Sequence, residues 1–126
     1  MTTKDIKIIN TILQNEYNTN NILCKELAAN NSDEEYFARS KRHELSKVCN
    51  KFANLDFGKN NMCVNEIIFI EHILSSTLEK LVEQKHNVKD EEKIKLFSEI
   101  HEVSSAYDAF CDFDWNNHER KQLKKI

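Results

Sequence analysis

Proline is absent from this chain, and glycine occurs once, at Gly58. Tight hairpin turns draw on glycine, asparagine and proline, which argues against an all-β fold. A phosphate-cradling loop needs several glycines, so neither the dinucleotide fingerprint nor the P-loop can occur. The four cysteines, Cys24, Cys49, Cys63 and Cys111, form no C-x-x-C pair. That spacing signals no ordinary zinc site, and each cysteine stands in an apolar helical pattern, as reduced core thiols do. Long apolar runs are missing too. The longest, Ile67 to Ile70, falls far short of a membrane span, and the first residues lack a signal-peptide core. The expectation is a cytoplasmic protein with no membrane association.

What the chain does have is charge, with 18 basic and 21 acidic residues and a net charge of −3. Residues 1–60 are nearly balanced, with nine basic against eight acidic, whereas residues 61–126 hold nine against thirteen. That distribution argues against a surface committed wholly to nucleic acid. A length of 126 residues fits one domain, 1–126, large enough to bury a core without disulfide or metal staples.

Apolar residues recur at helical spacing throughout. Ile6, Ile9, Leu13 and Tyr17 mark a first helix, capped by Thr3. The run Asn18–Asn21 is either a break or a polar turn within it. Ser32 and Glu35 match a capping box for a second helix, which buries Ala38, Leu45, Val48, Cys49 and Phe52 and ends near Phe57-Gly58. A third helix runs from about Val64 to Gln84, with its first half apolar nearly all round, so it is central or touches a partner. Asn87 or Asp90 caps a fourth, whose inward stripe is Leu96, Ile100, Val103, Tyr107 and Phe110. The basic run HERKQLKKI favours that helix's C-terminal end. The fold class is all-α: a compact, mostly antiparallel bundle of four to five helices.

Four kinds of chemistry could sit on this frame. Glu83 and His86 show the Glu-x-x-His spacing of di-iron bundles, but such a site needs a second motif, and this chain has one. His101, Asp108 and Asp112 share a face opposite the apolar stripe, where solvated polar residues belong. Glu99 and Glu102 supply one half of a magnesium-binding E-x-x-E pair without a second half. Glu71 and Arg42 fall within apolar stripes and are expected to pair inside the bundle, since buried charges come paired. No metal and no cofactor is expected.

For nucleic acid, Ile6–Ala29 can be read as a helix-turn-helix broken at the asparagines. The basic face of the second helix then offers Arg39, His43, Lys47 and Lys51, although Asp33, Glu34 and Glu35 at its start would repel phosphates. For protein binding, the stretch Leu96–Trp115 carries five carboxylates and no basic residue. Glu99, Glu102, Asp108, Asp112 and Asp114 lie among Phe110, Phe113 and Trp115, combining a steering charge with aromatic anchors.

The reading is therefore a non-enzymatic binding or inhibitor module. Its partner surface is Glu99, Glu102, Asp108, Asp112, Phe113, Asp114 and Trp115, and its partner is a basic protein such as a nuclease toxin or another nucleic-acid-binding effector. Small acidic helical proteins of this type include immunity proteins, antitoxins and phage-borne inhibitors, an analogy of size, charge and fold. A helix-turn-helix-type nucleic-acid-binding regulator is the alternative.

Overall fold

A computed structural model of the chain describes residues 1–29, 32–58 and 62–115. Among these residues the structure is entirely helical, a compact bundle of four helices in the order α1 (Thr3–Leu27), α2 (Asp33–Ala53), α3 (Val64–Gln84) and α4 (Asp90–Asp112). No helix among the described residues is long and apolar enough to cross a membrane.

The first helix begins one residue earlier than Thr3 suggests. Thr2 is the cap: its Oγ1 accepts from the Asp5 N–H at 3.1 Å, and Asp5 accepts from the Thr2 N–H at 2.9 Å. This reciprocal box needs an acid three residues on, and Thr2 has one whereas Thr3 does not. The Thr2 N–H holds the Asp5 carboxyl below its ordinary pKa. Asparagines 18, 20 and 21 do not break the helix, because tertiary and local bonds occupy their side chains. Asn18 accepts from Gln14, buried Asn20 accepts from the Cys24 thiol, and Asn21 accepts from Arg42.

The Ser32 hydroxyl caps α2 by accepting from the Glu35 N–H at 3.2 Å. The helix stops at Ala53, four residues short of the Phe57-Gly58 end read from the glycine. Asn54 is its C-cap, and the Asn54 side chain donates back to the Asn50 carbonyl at 2.8 Å. Gly58 instead closes a local turn, its N–H donating to Asp56 Oδ1. At the start of α4, Lys89 rather than Asn87 or Asp90 is the cap residue and makes no side-chain bond. Asp90, Glu91 and Glu92 fill the first turn, where the helix dipole favours them.

Four helices meet at one end of the bundle. Ile9 and Leu13 of α1, Leu45, Val48 and Phe52 of α2, Ile67, Ile70 and Leu74 of α3, and Ala106 and Phe110 of α4 form one buried cluster. A smaller cluster, Leu81, Leu96 and Val103 with Ile8 and Ile12 against it, joins the far half of α3 to the near half of α4. The first half of α3 is central as expected, with Ile67, Ile70, Ile73 and Leu74 buried and Ile68 the one large apolar residue there that is exposed. The most extensive packing is between α1 and α2, and α1 also packs against α4 and α3.

The closing element follows α4. Phe113 adopts extended backbone as the C-cap, and the chain turns so that Trp115 folds back, 3% exposed. The Trp115 indole N–H donates to the Phe110 carbonyl at 2.9 Å. That carbonyl lies among the last four of the helix, which have no partner within it. The ring lies edge-on to Phe113 at 4.6 Å and tilted against Phe110 at 4.8 Å and Phe57 of the α2–α3 connection at 6.3 Å. The basic run after Trp115, expected to extend α4, lies outside the described residues; the described helix ends with no basic residue in its last turn.

Two substitutions separate the roles of Trp115. Trp115→Ala should lower stability by about 3–5 kcal/mol, as for a large buried aromatic. Trp115→Phe keeps much of the packing but removes the N–H, and should cost less than Trp115→Ala, with a hydrogen-bond-sized part of about 1 kcal/mol. Denaturant melts of both variants check this. A Trp115→Ala loss below that of Trp115→Phe would contradict the closing role.

Candidate functional site

The stretch Leu96–Trp115 splits into an outer and an inner part. Helical spacing places Ile94, Phe97, His101, Ser105, Asp108 and Asp112 on one stripe of α4, and all six are exposed. Its N-terminal end is apolar, with Ile94 78% and Phe97 52% exposed. Its C-terminal end is acidic, with no described residue paired to Asp108 or Asp112. Asp114 is exposed just beyond. Glu99 and Glu102 stand toward α1, at the edge of a groove of about 600 Å³ floored by Ile8, Ile12, Leu81 and Val103. Glu102 is bound there by Lys4 at 3.2 Å.

Phe113 and Trp115 do not belong to the outer surface. Trp115 is buried, and half-buried Phe113 packs edge-on to Phe57 at 5.7 Å. Continued helical spacing would make both partner anchors on the surface of α4. The helix ends at Asp112, so that spacing does not carry past it. The exposed apolar groups on the same stripe, Ile94 and Phe97, stand about 16 Å or more along the helix from Asp108 and Asp112, with Ile94 opposite the inward stripe of Leu96, Ile100 and Val103 and Phe97 on its flank. Spacing alone places them there.

The basic face of α2 is also divided. His43 and Lys47 are exposed. Arg39 reaches back to Glu35 at 3.5 Å. Lys51 is not on an open face: its Nζ lies 2.6 Å from Glu66 Oε1, and Glu66 is buried. The same oxygen accepts the Cys63 N–H at 2.9 Å, so one carboxylate caps α3 and joins it to the end of α2. Oε2 has no hydrogen-bond partner. Burial pushes the Glu66 pKa up, but the bonds from Lys51 and Cys63 outweigh it and hold the carboxyl below its ordinary value. With α1 unbroken through Asn18–Asn21, residues 6–29 form no helix-turn-helix.

Arg42 and Glu71 do not form the expected pair. Arg42 donates to Asn21 of α1 at 3.3 Å. Glu71 sits at the α3–α4 contact, where its charge acts on Cys111 and Tyr107. The two lie on different sides of the bundle because α2 packs extensively only on α1. Burial first, and Glu71 next, raise the Cys111 thiol pKa, and burial raises that of Cys49. Raised thiols are poor nucleophiles at neutral pH. Among the described residues all four cysteines are free, and no group of three or more His, Cys, Asp or Glu is placed to hold a metal. Glu83 and His86 both face solvent where α3 ends.

Comparison with protein-family models, with curated proteins and with solved structures finds no match to this chain.

The Lys51–Glu66 contact has a pH signature. Because the folded Glu66 pKa is depressed, its contribution is present above the unfolded glutamate value of about 4.3 and is lost as pH falls through the folded value. Lys51→Met leaves the carboxylate buried without its cation and should cost about 1–3 kcal/mol at neutral pH. The gap from the native protein should shrink on acidification, once Glu66 is protonated in both. Urea melts from neutral pH downward measure it, and a gap constant with pH would remove the charge from the explanation.

Proposed function

We propose that the protein is a non-enzymatic binding module that presents the outer stripe of α4 to a basic protein partner. One observation carries this reading: exposed Ile94 and Phe97 share a stripe with Asp108 and Asp112. Exposed large apolar groups at a single site mark contact surfaces, and a charged rim speeds encounter with an oppositely charged partner. Asp108 and Asp112 also stand at the negative end of the helix dipole, four residues apart. Both placements cost stability in an isolated helix. A face retained against that cost is consistent with use. The scaffold in this reading is a mostly antiparallel bundle, which is supported for α1 and α2 by Leu13 meeting Cys49 while the later Glu16 and Asn21 meet the earlier Lys41 and Arg42.

The partner class is a basic protein, a nuclease toxin or other nucleic-acid-binding effector being the type this charge pattern suits, and the module would inhibit by covering it. The nucleic-acid alternative has less support: its two-helix element is one helix and Lys51 is engaged.

Co-purification from the native host names the partner, and binding kinetics then test the face. Asp108→Lys with Asp112→Lys should leave melting unchanged or slightly raised, slow association, and be partly mimicked in the native protein by added salt. Phe97→Ala should act mainly by speeding dissociation, by about tenfold or more if the ring is an anchor. Unaltered association at low salt after the charge reversal would reduce the face to a solvated surface.

A further inference from the structure

The second helix is turned partly inside out. Its inner face carries Glu35, Ala38 and half-buried Arg42, while Tyr36 and Phe37 stand 61% and 68% exposed on its outside. Their rings meet edge-to-face at 5.8 Å, so they form one aromatic knob. Asp33, Phe37, Ser40, Glu44 and Lys47 follow at spacings of three and four, with Tyr36 beside Phe37, and all six are exposed. No ion pair within the described residues uses Asp33, Glu44 or Lys47. This face is distinct from the outer stripe of α4.

The order of chemistry along the stripe is what names its occupant. We propose that it is the contact between two copies of this chain, with α2 of each lying antiparallel on the other about a two-fold axis at Ser40. A two-fold contact uses the same patch twice, so the patch must complement its own reversal. Reversed about position 40, Asp33 faces Lys47 of the second copy and Lys47 faces Asp33, so two opposite-charge pairs form. Tyr36 faces Glu44, whose carboxylate can accept from the phenol, and Phe37 faces His43. Ser40 faces itself, and its small side chain lets the helix axes approach toward the close end of the usual 8–10 Å range. A parallel pairing in register would set Asp33 on Asp33, Glu44 on Glu44 and Lys47 on Lys47. Like charges thus select the antiparallel arrangement. A nucleic acid fits this face poorly, because Asp33 and Glu44 flank the aromatic knob on either side.

Sedimentation equilibrium of the full chain over a wide micromolar concentration range tests the proposal. The native protein should show a reversible monomer–dimer equilibrium. Phe37→Glu should weaken it about 30-fold or more, the effect of losing an aromatic anchor worth 2 kcal/mol. Asp33→Lys and Lys47→Glu should each weaken it, and the double variant should recover it, because the pair is then restored with its charges exchanged. Ser40→Cys should give a disulfide-linked dimer on mild oxidation where the native protein gives none. Melting curves identify any variant that has lost its fold. A native protein that stays monomeric throughout, a dimer indifferent to Phe37→Glu, or a double variant as weak as the singles overturns the proposal.

Discussion

One hydrogen bond and the ring that makes it close this bundle. The C-terminal end of α4 carries open carbonyls, two aspartates at the negative pole of the dipole, and no basic residue in its last turn. Left in water, such an end frays. The Trp115 indole answers it by donating to Phe110 and covering Phe110, Phe113 and Phe57 with one ring. Phe57 and Phe110 both contact Phe52 of α2, so the same cluster links the end of α4 to the end of α2 and to the connection that follows it. Beside it, Glu66 accepts from Lys51 and from the Cys63 N–H and ties the start of α3 to α2.

Away from that end the two helix pairs are held by different physics. Leu81, Leu96 and Val103 join α3 to α4 with ordinary apolar burial. In the far halves of α1 and α2 the buried residues are Asn20, Cys24, Ala38 and Glu35, and the helices are joined by Arg42 reaching Asn21 and Lys41 reaching Glu16. Small and polar side chains fill that contact, and larger apolar ones, Ile22, Leu23, Tyr36 and Phe37, remain outside. Both surfaces proposed for binding lie on helix faces turned away from the main cluster. Packing there leaves side-chain identity free to serve a partner, whereas at the closed end it does not.

The outward faces of α2 and α4 also share an electrostatic character. Each joins exposed apolar groups to charges that the described residues leave unpaired. On α4 the charge is of one sign, which suits a different protein of opposite charge. On α2 both signs occur, with Asp33 and Lys47 placed so that each faces the other on reversal, which suits a second copy. The distinction rests on sequence order along one helix, and it separates two kinds of partner without any change of fold.

The helical class, the four helix bodies and most inward stripes were legible in the sequence, because a 3.6-residue period and polar helix starts are local properties. The Val64–Gln84 span and the buried series Leu96, Val103 and Phe110 could be read directly from spacing. The carboxylates Asp108 and Asp112 were correctly placed outward for the same reason. Tertiary structure decided the rest. It gave Asn21 of the unbroken α1 a partner in Arg42, ended α2 early at Asn54, and drew Lys51 inward to Glu66. It separated Arg42 from Glu71, because stripes say which side of a helix is buried and nothing about which helix lies there. Trp115 is the clearest case. Its residue type marked it as important, but only the turn after Asp112, where helical spacing no longer applies, decided that it closes the core.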